Sequence, residues 1–213
     1  MNKIEFFFDP VCPFAWLTSR WASEVSEQTD LEIEWRFISL RYLNEGNDFG
    51  PAYSRSHALG LDLLRIAAAV REAHGNAGVA AVYTAFGNEL HVGGRSKTVM
   101  AGEDGAAVAL ISDALAAAGL DETFAKAADD DSHDSWIRSD TDLALLRSGP
   151  DVGTPIITFD LERPESSTFF GPVINRVPRG AEAVQLWDAL STIARLPGFS
   201  ELKRSLRGEL DFS

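Results

Sequence analysis

The stretch that decides the fold is Phe8-Asp9-Pro10-Val11-Cys12-Pro13-Phe14-Ala15-Trp16, which holds the only cysteine of the 213 residues. Residues 4–8 are mostly apolar and typical of a strand, whereas residues 16–25 show the apolar spacing of a helix. Cys12 therefore lies at a predicted helix N-terminus, and Pro13 suits the first helical position because its missing N–H costs little there. Unpaired backbone N–H groups at that end favour an anion, so we predict a stabilised, nucleophilic Cys12 thiolate.

The following residues extend this stretch into a β-α-β unit. The helix is predicted over residues 13–28. Residues 31–37 then alternate, with an apolar residue at every odd position, which indicates a half-buried strand. Because a helical crossover joins the two strands, we expect them to be parallel.

Helical periodicity dominates the middle of the chain, from about residue 52 to residue 146. This segment is too long for an ordinary connection between two strands. We therefore predict an all-helical subdomain, residues 51–149, inserted into an α/β domain made of residues 1–50 and 150–213.

The strand pattern returns after Gly149-Pro150. It predicts a strand, a polar hairpin loop, a second strand and a helix, at residues 155–159, 160–167, 168–170 and 181–194. In the tail, Phe199, Leu202 and Leu206 have helical spacing, which predicts a short terminal helix.

Composition narrows the class of protein. The net charge of −13 argues against a nucleic-acid partner. No apolar run is long enough to span a bilayer, and Met1-Asn2-Lys3 leads directly into a strand, so we expect no export signal and a cytoplasmic location. A single cysteine, which can form no internal disulfide, agrees with that location.

The histidines show no sign of a metal site. They share no spacing typical of metal ligands, so we expect surface or helix-end positions for all of them and predict no bound metal. They are His57, His74, His91 and His133.

A second informative stretch, Asp151-Val152-Gly153-Thr154-Pro155, opens the third predicted strand. Proline is tolerated at the start of a strand because it need not donate to the sheet there. A cis peptide bond between Thr154 and Pro155 is also allowed at such a position.

Together these features resemble the DsbA-like thioredoxin superfamily and, within it, the actinobacterial mycothiol-dependent nitroreductase family. The resemblance covers nearly the whole chain, and the element order is that of a thioredoxin fold interrupted after its second strand. The motifs that carry it are Phe8-Asp9-Pro10-Val11-Cys12-Pro13-Phe14, Thr18-Ser19-Arg20-Trp21, Val152-Gly153-Thr154-Pro155, Phe170-Gly171-Pro172-Val173 and Pro178-Arg179-Gly180.

The resemblance implies an α/β, thioredoxin-like fold with the active site where the inserted helices meet it. Cys12 matches the family's nucleophile, within the motif Cys12-Pro13-Phe14-Ala15. Pro155, preceded by Thr154, matches the cis-proline that faces the thiol. Asn44 and Tyr53 match positions that line the substrate cleft. Trp16 directly follows the motif, and we place it at the floor of the site.

The chain departs from the family pattern at Ala15, which stands where the second cysteine of Cys-x-x-Cys would be. A dithiol cycle needs a resolving thiol, and here that thiol must come from solution. The sequence thus predicts a monothiol oxidoreductase in which Cys12 uses a mycothiol-like, low-molecular-weight thiol to reduce a small electrophile or a mixed disulfide. We expect no tightly bound cofactor.

Other interpretations stay open. Cys12 could only bind or activate a thiol co-substrate, as in thiol-dependent isomerases and transferases of the hydroxychromene-carboxylate isomerase and kappa-class type. Ala15 could mark a non-catalytic binding protein, or a substitution engineered to trap an intermediate. The expected partners are small molecules rather than nucleic acids or membranes, and a homodimer is compatible with the sequence.

Overall fold

A computed structural model describes residues 2–161 and 166–213 of the chain. Four strands lie in one sheet: β1 Asn2–Phe8, β2 Leu31–Phe37, β3 Ile156–Phe159 and β4 Ser167–Phe170. Seven α-helices surround it in that part of the chain: α1 Pro13–Gln28, α2 Leu40–Leu43, α3 Pro51–Gly87, α4 Ser96–Ala101, α5 Ala106–Ala117, α6 Asp134–Ser148 and α7 Gly180–Ala194. A π-helical turn, Asn88–Val92, and two 3₁₀ turns, Glu122–Asp129 and Asp131–His133, complete the inserted helices.

The sheet has the order β2-β1-β3-β4. β1 and β2 are parallel, with Phe6 opposite Trp35, as the helical crossover predicts. β3 runs antiparallel to β1, with Phe7 opposite Ile156, and β4 runs antiparallel to β3. This is the strand arrangement of the thioredoxin fold, so the predicted fold class is confirmed.

β1 is mostly apolar from Ile4 to Phe8, with Glu5 as the exception, because both of its faces are covered. Phe6 and Phe8 belong to the main core, where the Phe8 ring stacks on Tyr83 of α3 with centroids 3.8 Å apart. Phe7 points to the other face and packs in a smaller cluster with Ile38 and Ile156. A central strand buried on both faces is an almost continuous hydrophobic run, as residues 4–8 are.

Helix α1 covers one face of the sheet with the predicted apolar stripe. Leu17, Trp21 and Val25 are all fully buried. The Trp21 indole N–H donates to the Ala183 carbonyl of α7 at 3.0 Å, so its buried polar atom is satisfied. These contacts fix the direction of α1 and, with it, the position of Cys12 at its first turn.

Helix α3 bends sharply at Gly75, where φ is 65° and ψ is −161°. Such a backbone conformation is open to glycine because it lacks a Cβ atom. The break divides α3 into two arms. The second arm ends in the π-helical turn Asn88–Val92, a feature that the sequence pattern did not predict.

The prediction of a terminal helix is wrong. After α7 the tail has no helix or strand, and Leu202 and Leu206 are 85% and 86% exposed. The last residues instead follow an irregular path because Leu210 and Phe212 pack against the main core. The predicted hairpin loop lies partly outside the described residues, at 162–165.

Candidate active site

Cys12 is the N-cap residue of α1. Its Sγ accepts a hydrogen bond from the Ala15 N–H at 3.5 Å, and its S–H donates to the Thr154 carbonyl at 3.4 Å. The Thr154 hydroxyl donates in turn to the Phe7 carbonyl at 3.2 Å, which ties this loop to β1. The Thr154–Pro155 bond is cis. The structure thus places together residues that are 142 positions apart in sequence.

The Cys12 side chain is buried, with 8% of the residue exposed. Burial raises the pKa of the thiol from 9.0 to about 12, and the nearby Asp9 carboxylate acts in the same direction. The N–H of Ala15 opposes this shift but does not overcome it. The prediction of a stabilised thiolate is therefore wrong for this arrangement, because desolvation of the charged form exceeds the effect of the helix N-terminus.

Asp9 is a second buried group at the site, and the sequence reasoning gave it no role. It is fully buried and accepts hydrogen bonds from the N–H groups of Val11 at 3.1 Å and Leu40 at 2.8 Å. Burial nevertheless raises the pKa of this carboxyl to about 7. Gly60 of α3 lies against it, since a Cβ there would be 2.7 Å from the Asp9 Oδ1 atom. The sequence did hold one signal of such a role, because Asp9 is an ionisable residue directly between an apolar strand and the cysteine.

Trp16 lies in the first turn of α1, and the residue is 2% exposed. Its ring is flanked by the Arg20 guanidinium at 4.3 Å and by the His91 ring at 6.0 Å. Gly87 leaves room for the indole, because a Cβ at that position would be 2.0 Å from a ring carbon of Trp16. Trp16 thus supports the active-site turn from the side of the inserted helices.

The prediction of a surface position is wrong for His91, which is buried beside the cysteine turn. It is 8% exposed, and its Nε2 lies 2.9 Å from the Pro10 carbonyl, two residues before Cys12. That contact assigns the proton to Nε2. Burial lowers the pKa of His91 to about 4, so the ring is neutral near pH 7. Neutrality lets an imidazole pack between aromatic rings without an uncompensated charge.

Asn44 and Tyr53 line the same cavity, which has a volume of about 250 Å³. Cys12 is not part of its lining. The lining residues are Arg41, Asn44, Glu45, Gly46, Asn47, Phe49, Tyr53, Ser54 and His57. Tyr53 precedes Gly60 by two helical turns on α3, and Gly60 touches Asp9 and Val11. The cavity is therefore a neighbour of the cysteine turn, but separate from the thiol itself.

A family model described as Rv2466c-like, mycothiol-dependent nitroreductase Rv2466c, matches residues 11–204. The chain belongs to this family. The Rv2466c-like match includes Cys12, Ala15 and the Thr154-Pro155 pair. The family is one of thiol-dependent oxidoreductases, and its name identifies mycothiol as the thiol.

Two proteins similar to this Rv2466c-like chain match most of its length. A Mycobacterium tuberculosis protein, the uncharacterized Rv2286c, is 32% identical over 207 residues, which cover 96% of this chain and 82% of that protein. A crystal structure of a proposed protein-disulfide isomerase from Pseudomonas syringae matches with a TM-score of 0.45 and 17% identity, over 75% of this chain and 82% of the other. The fold assignment rests on the strand order rather than on that match.

Two other kinds of site are absent from residues 2–161 and 166–213. There, no helix is long and apolar enough to cross a membrane. Within the same ranges, no three His, Cys, Asp or Glu side chains are grouped so that they could hold a metal ion. The described site brings together one thiol, one buried carboxyl and one neutral imidazole.

Proposed function

We propose that the protein is a monothiol oxidoreductase in which Cys12 exchanges disulfides with a mycothiol-like co-substrate. The observation that carries this proposal is the placement of the lone sulfur. Its Sγ lies between the Ala15 N–H and the Thr154 carbonyl, beside Pro155. No second cysteine exists in the chain to compete for a mixed disulfide.

The proposed reaction uses the mycothiol moiety of the mixed disulfide and one molecule of free mycothiol. Cys12 loses its proton as its sulfur attacks the mycothiol sulfur of a mixed disulfide. A new S–S bond forms between Cys12 and the mycothiol moiety, and the other partner leaves as a thiol with that proton. A second mycothiol then attacks the mycothiol sulfur bound to Cys12, which releases mycothiol disulfide and restores the Cys12 thiol. The net change consumes one free mycothiol, releases the other partner of the mixed disulfide as a thiol and yields mycothiol disulfide. With a nitro compound as the acceptor, two mycothiols supply two electrons and two protons and become mycothiol disulfide, and the nitro group becomes a nitroso group and water.

We also propose that the site lies between two parts of the chain. The thioredoxin-like part, residues 1–50 and 150–213, supplies Cys12 and Thr154. The inserted helices, residues 51–149, supply Gly60 against Asp9 and His91 against Pro10. With the site between two parts, the cleft can change shape if one part moves relative to the other. We further propose that the protein acts in the cytoplasm.

The neighbouring cavity is our candidate for the electrophile. It combines exposed aromatic rings, Phe49 and Tyr53, with the polar side chains of Arg41, Asn44 and His57. Aromatic faces suit planar, electron-poor rings, and the cationic and amide groups suit the oxygens of a nitro group. The volume of about 250 Å³ fits a small molecule better than a protein substrate.

A second candidate function follows from the protonated state of Cys12. A thiol whose pKa is about 12 is neutral near pH 7 and binds ligands as a hydrogen-bond donor or acceptor. In that case Cys12 would only position a thiol co-substrate, and the protein would be a thiol-dependent isomerase or transferase.

One experiment distinguishes these functions. The protein is incubated with mycothiol disulfide and weighed intact, and Cys12→Ser, which changes a single atom, is treated in parallel. The proposal predicts one mycothiol adduct per chain, absent in Cys12→Ser and removed by added mycothiol. No adduct, together with mycothiol-dependent turnover that survives in Cys12→Ser, would favour the isomerase or transferase. No adduct and no turnover would reject both.

A further inference from the structure

The last seven residues, 207–213, are called here the C-terminal strap. They lie beyond residues 11–204, the part that the family model matches. They contain no helix or strand. Their path nevertheless brings them to the active-site turn.

The strap reaches both sides of the cysteine turn, directly at Phe14 and through His91 at Pro10. On one side the Arg207 guanidinium lies 5.0 Å above the ring of Phe14, two residues after Cys12. On the other side the Phe212 ring stacks on His91, with centroids 5.7 Å apart and planes at 21°. His91 in turn contacts the Pro10 carbonyl, two residues before Cys12. Phe212 thus adds a third ring to the contact between Trp16 and His91.

The strap is held weakly compared with the elements beneath it. Its backbone makes two hydrogen bonds to Asn175, from the Asp211 N–H at 2.7 Å and to the Glu209 carbonyl at 3.1 Å. Of its seven residues, only Leu210 and Phe212 are partly buried. Segments with few buried contacts and solvent-exposed backbone open locally without unfolding the rest of a protein.

We propose that the C-terminal strap covers the Cys12 site in the free protein and is displaced when the thiol co-substrate enters. This inference rests on the proposed role of Cys12 as the reacting thiol. In the docked state Cys12 is 8% exposed, which leaves no room for the attack of an incoming disulfide on its sulfur. Release of Phe212 and Arg207 uncovers both flanks of the turn without moving α1.

The strap is tested by the rate at which iodoacetamide alkylates Cys12, followed by intact mass at pH 8. The variants are a chain that ends at Leu206 and the point variant Phe212→Ala. Leu202→Ala is the matched control, because Leu202 lies in the same tail and is 85% exposed. Loss of a buried aromatic contact should accelerate alkylation at least about tenfold in the first two chains and leave the control unchanged.

Equal rates in all four chains, the full-length protein included, would overturn the proposal. So would an acceleration that appears only in chains that have lost their cooperative thermal transition, since that would be global unfolding. If the shortened chain does not fold, Phe212→Ala decides. Alkylation requires no turnover: faster alkylation without a mycothiol adduct would reject the monothiol function alone, and an adduct with unchanged alkylation rates would reject the strap alone.

Discussion

In the folded protein, Cys12 should react with iodoacetamide about a thousandfold more slowly at pH 8 than in the same chain unfolded in guanidinium. Burial raises the pKa of the thiol from 9.0 to about 12, a difference of three units. Since alkylation needs the thiolate, the reactive fraction at pH 8 falls from about one in ten to about one in ten thousand.

The assay is a pH series from 6 to 10 with quenched samples weighed intact, and Cys12→Ser serves as the blank. The logarithm of the folded-state rate should rise with pH across the whole series without reaching a plateau. The unfolded reference should level off near its ordinary pKa, 9.0. Both curves come from one thiol, so differences in reagent and sequence cancel.

A folded-state rate within tenfold of the unfolded reference at pH 8 would refute this reasoning. So would a plateau below pH 8, because it would show a thiolate stabilised by the helix N-terminus. In either case, stabilisation of the Cys12 thiolate by the helix N-terminus would exceed the cost of its desolvation. The sequence-based prediction of an activated thiolate would then be correct.

Three further substitutions test the site. Gly87→Ala should destabilise the fold by about 1–3 kcal/mol in urea denaturation, although alanine favours helices, because the added Cβ would overlap the ring of Trp16. Asp9, whose pKa burial raises to about 7, should contribute a stability that is full below about pH 4 and lost, by about 4 kcal/mol, as the pH rises through 7. Asp9→Asn should remove that slope from denaturation curves measured between pH 4 and 8. Ala15→Cys should allow an internal disulfide with Cys12, because the Ala15 N–H lies 3.5 Å from Sγ, and oxidation should lower the intact mass by about 2 Da.

Each of these has a clear contrary result. Unchanged or increased stability in Gly87→Ala would show that the Trp16 ring can move away from the added Cβ without cost. A pH slope that persists in Asp9→Asn would assign the titration to a different group. An oxidised Ala15→Cys chain that keeps two alkylatable thiols would show that position 15 does not face Cys12.

The fold was largely predictable because its signals are local. The periodicity of apolar residues predicts which side of each element is buried. This holds for the alternation of residues 31–37, for the mostly apolar residues 4–8 and for the helical stripe of Leu17, Trp21 and Val25. The position of Cys12 at a helix start follows equally from its neighbours, since Pro13 and the preceding strand mark the junction. The terminal helix failed for the opposite reason: Leu210 and Phe212 find a distant partner, and that contact overrides the helical spacing of the tail.

The sequence by itself determined where the sulfur stands: at the junction of β1 and α1, in a chain whose Ala15 provides no second thiol. Only the tertiary structure decided the chemical state of that sulfur. Thr154 reaches Cys12 through the pairing of β1 with β3, and the C-terminal strap reaches its two flanks from the far end of the chain. A pKa depends on how much water and charge surround a group. Those surroundings come from residues remote in sequence, which no local pattern can report.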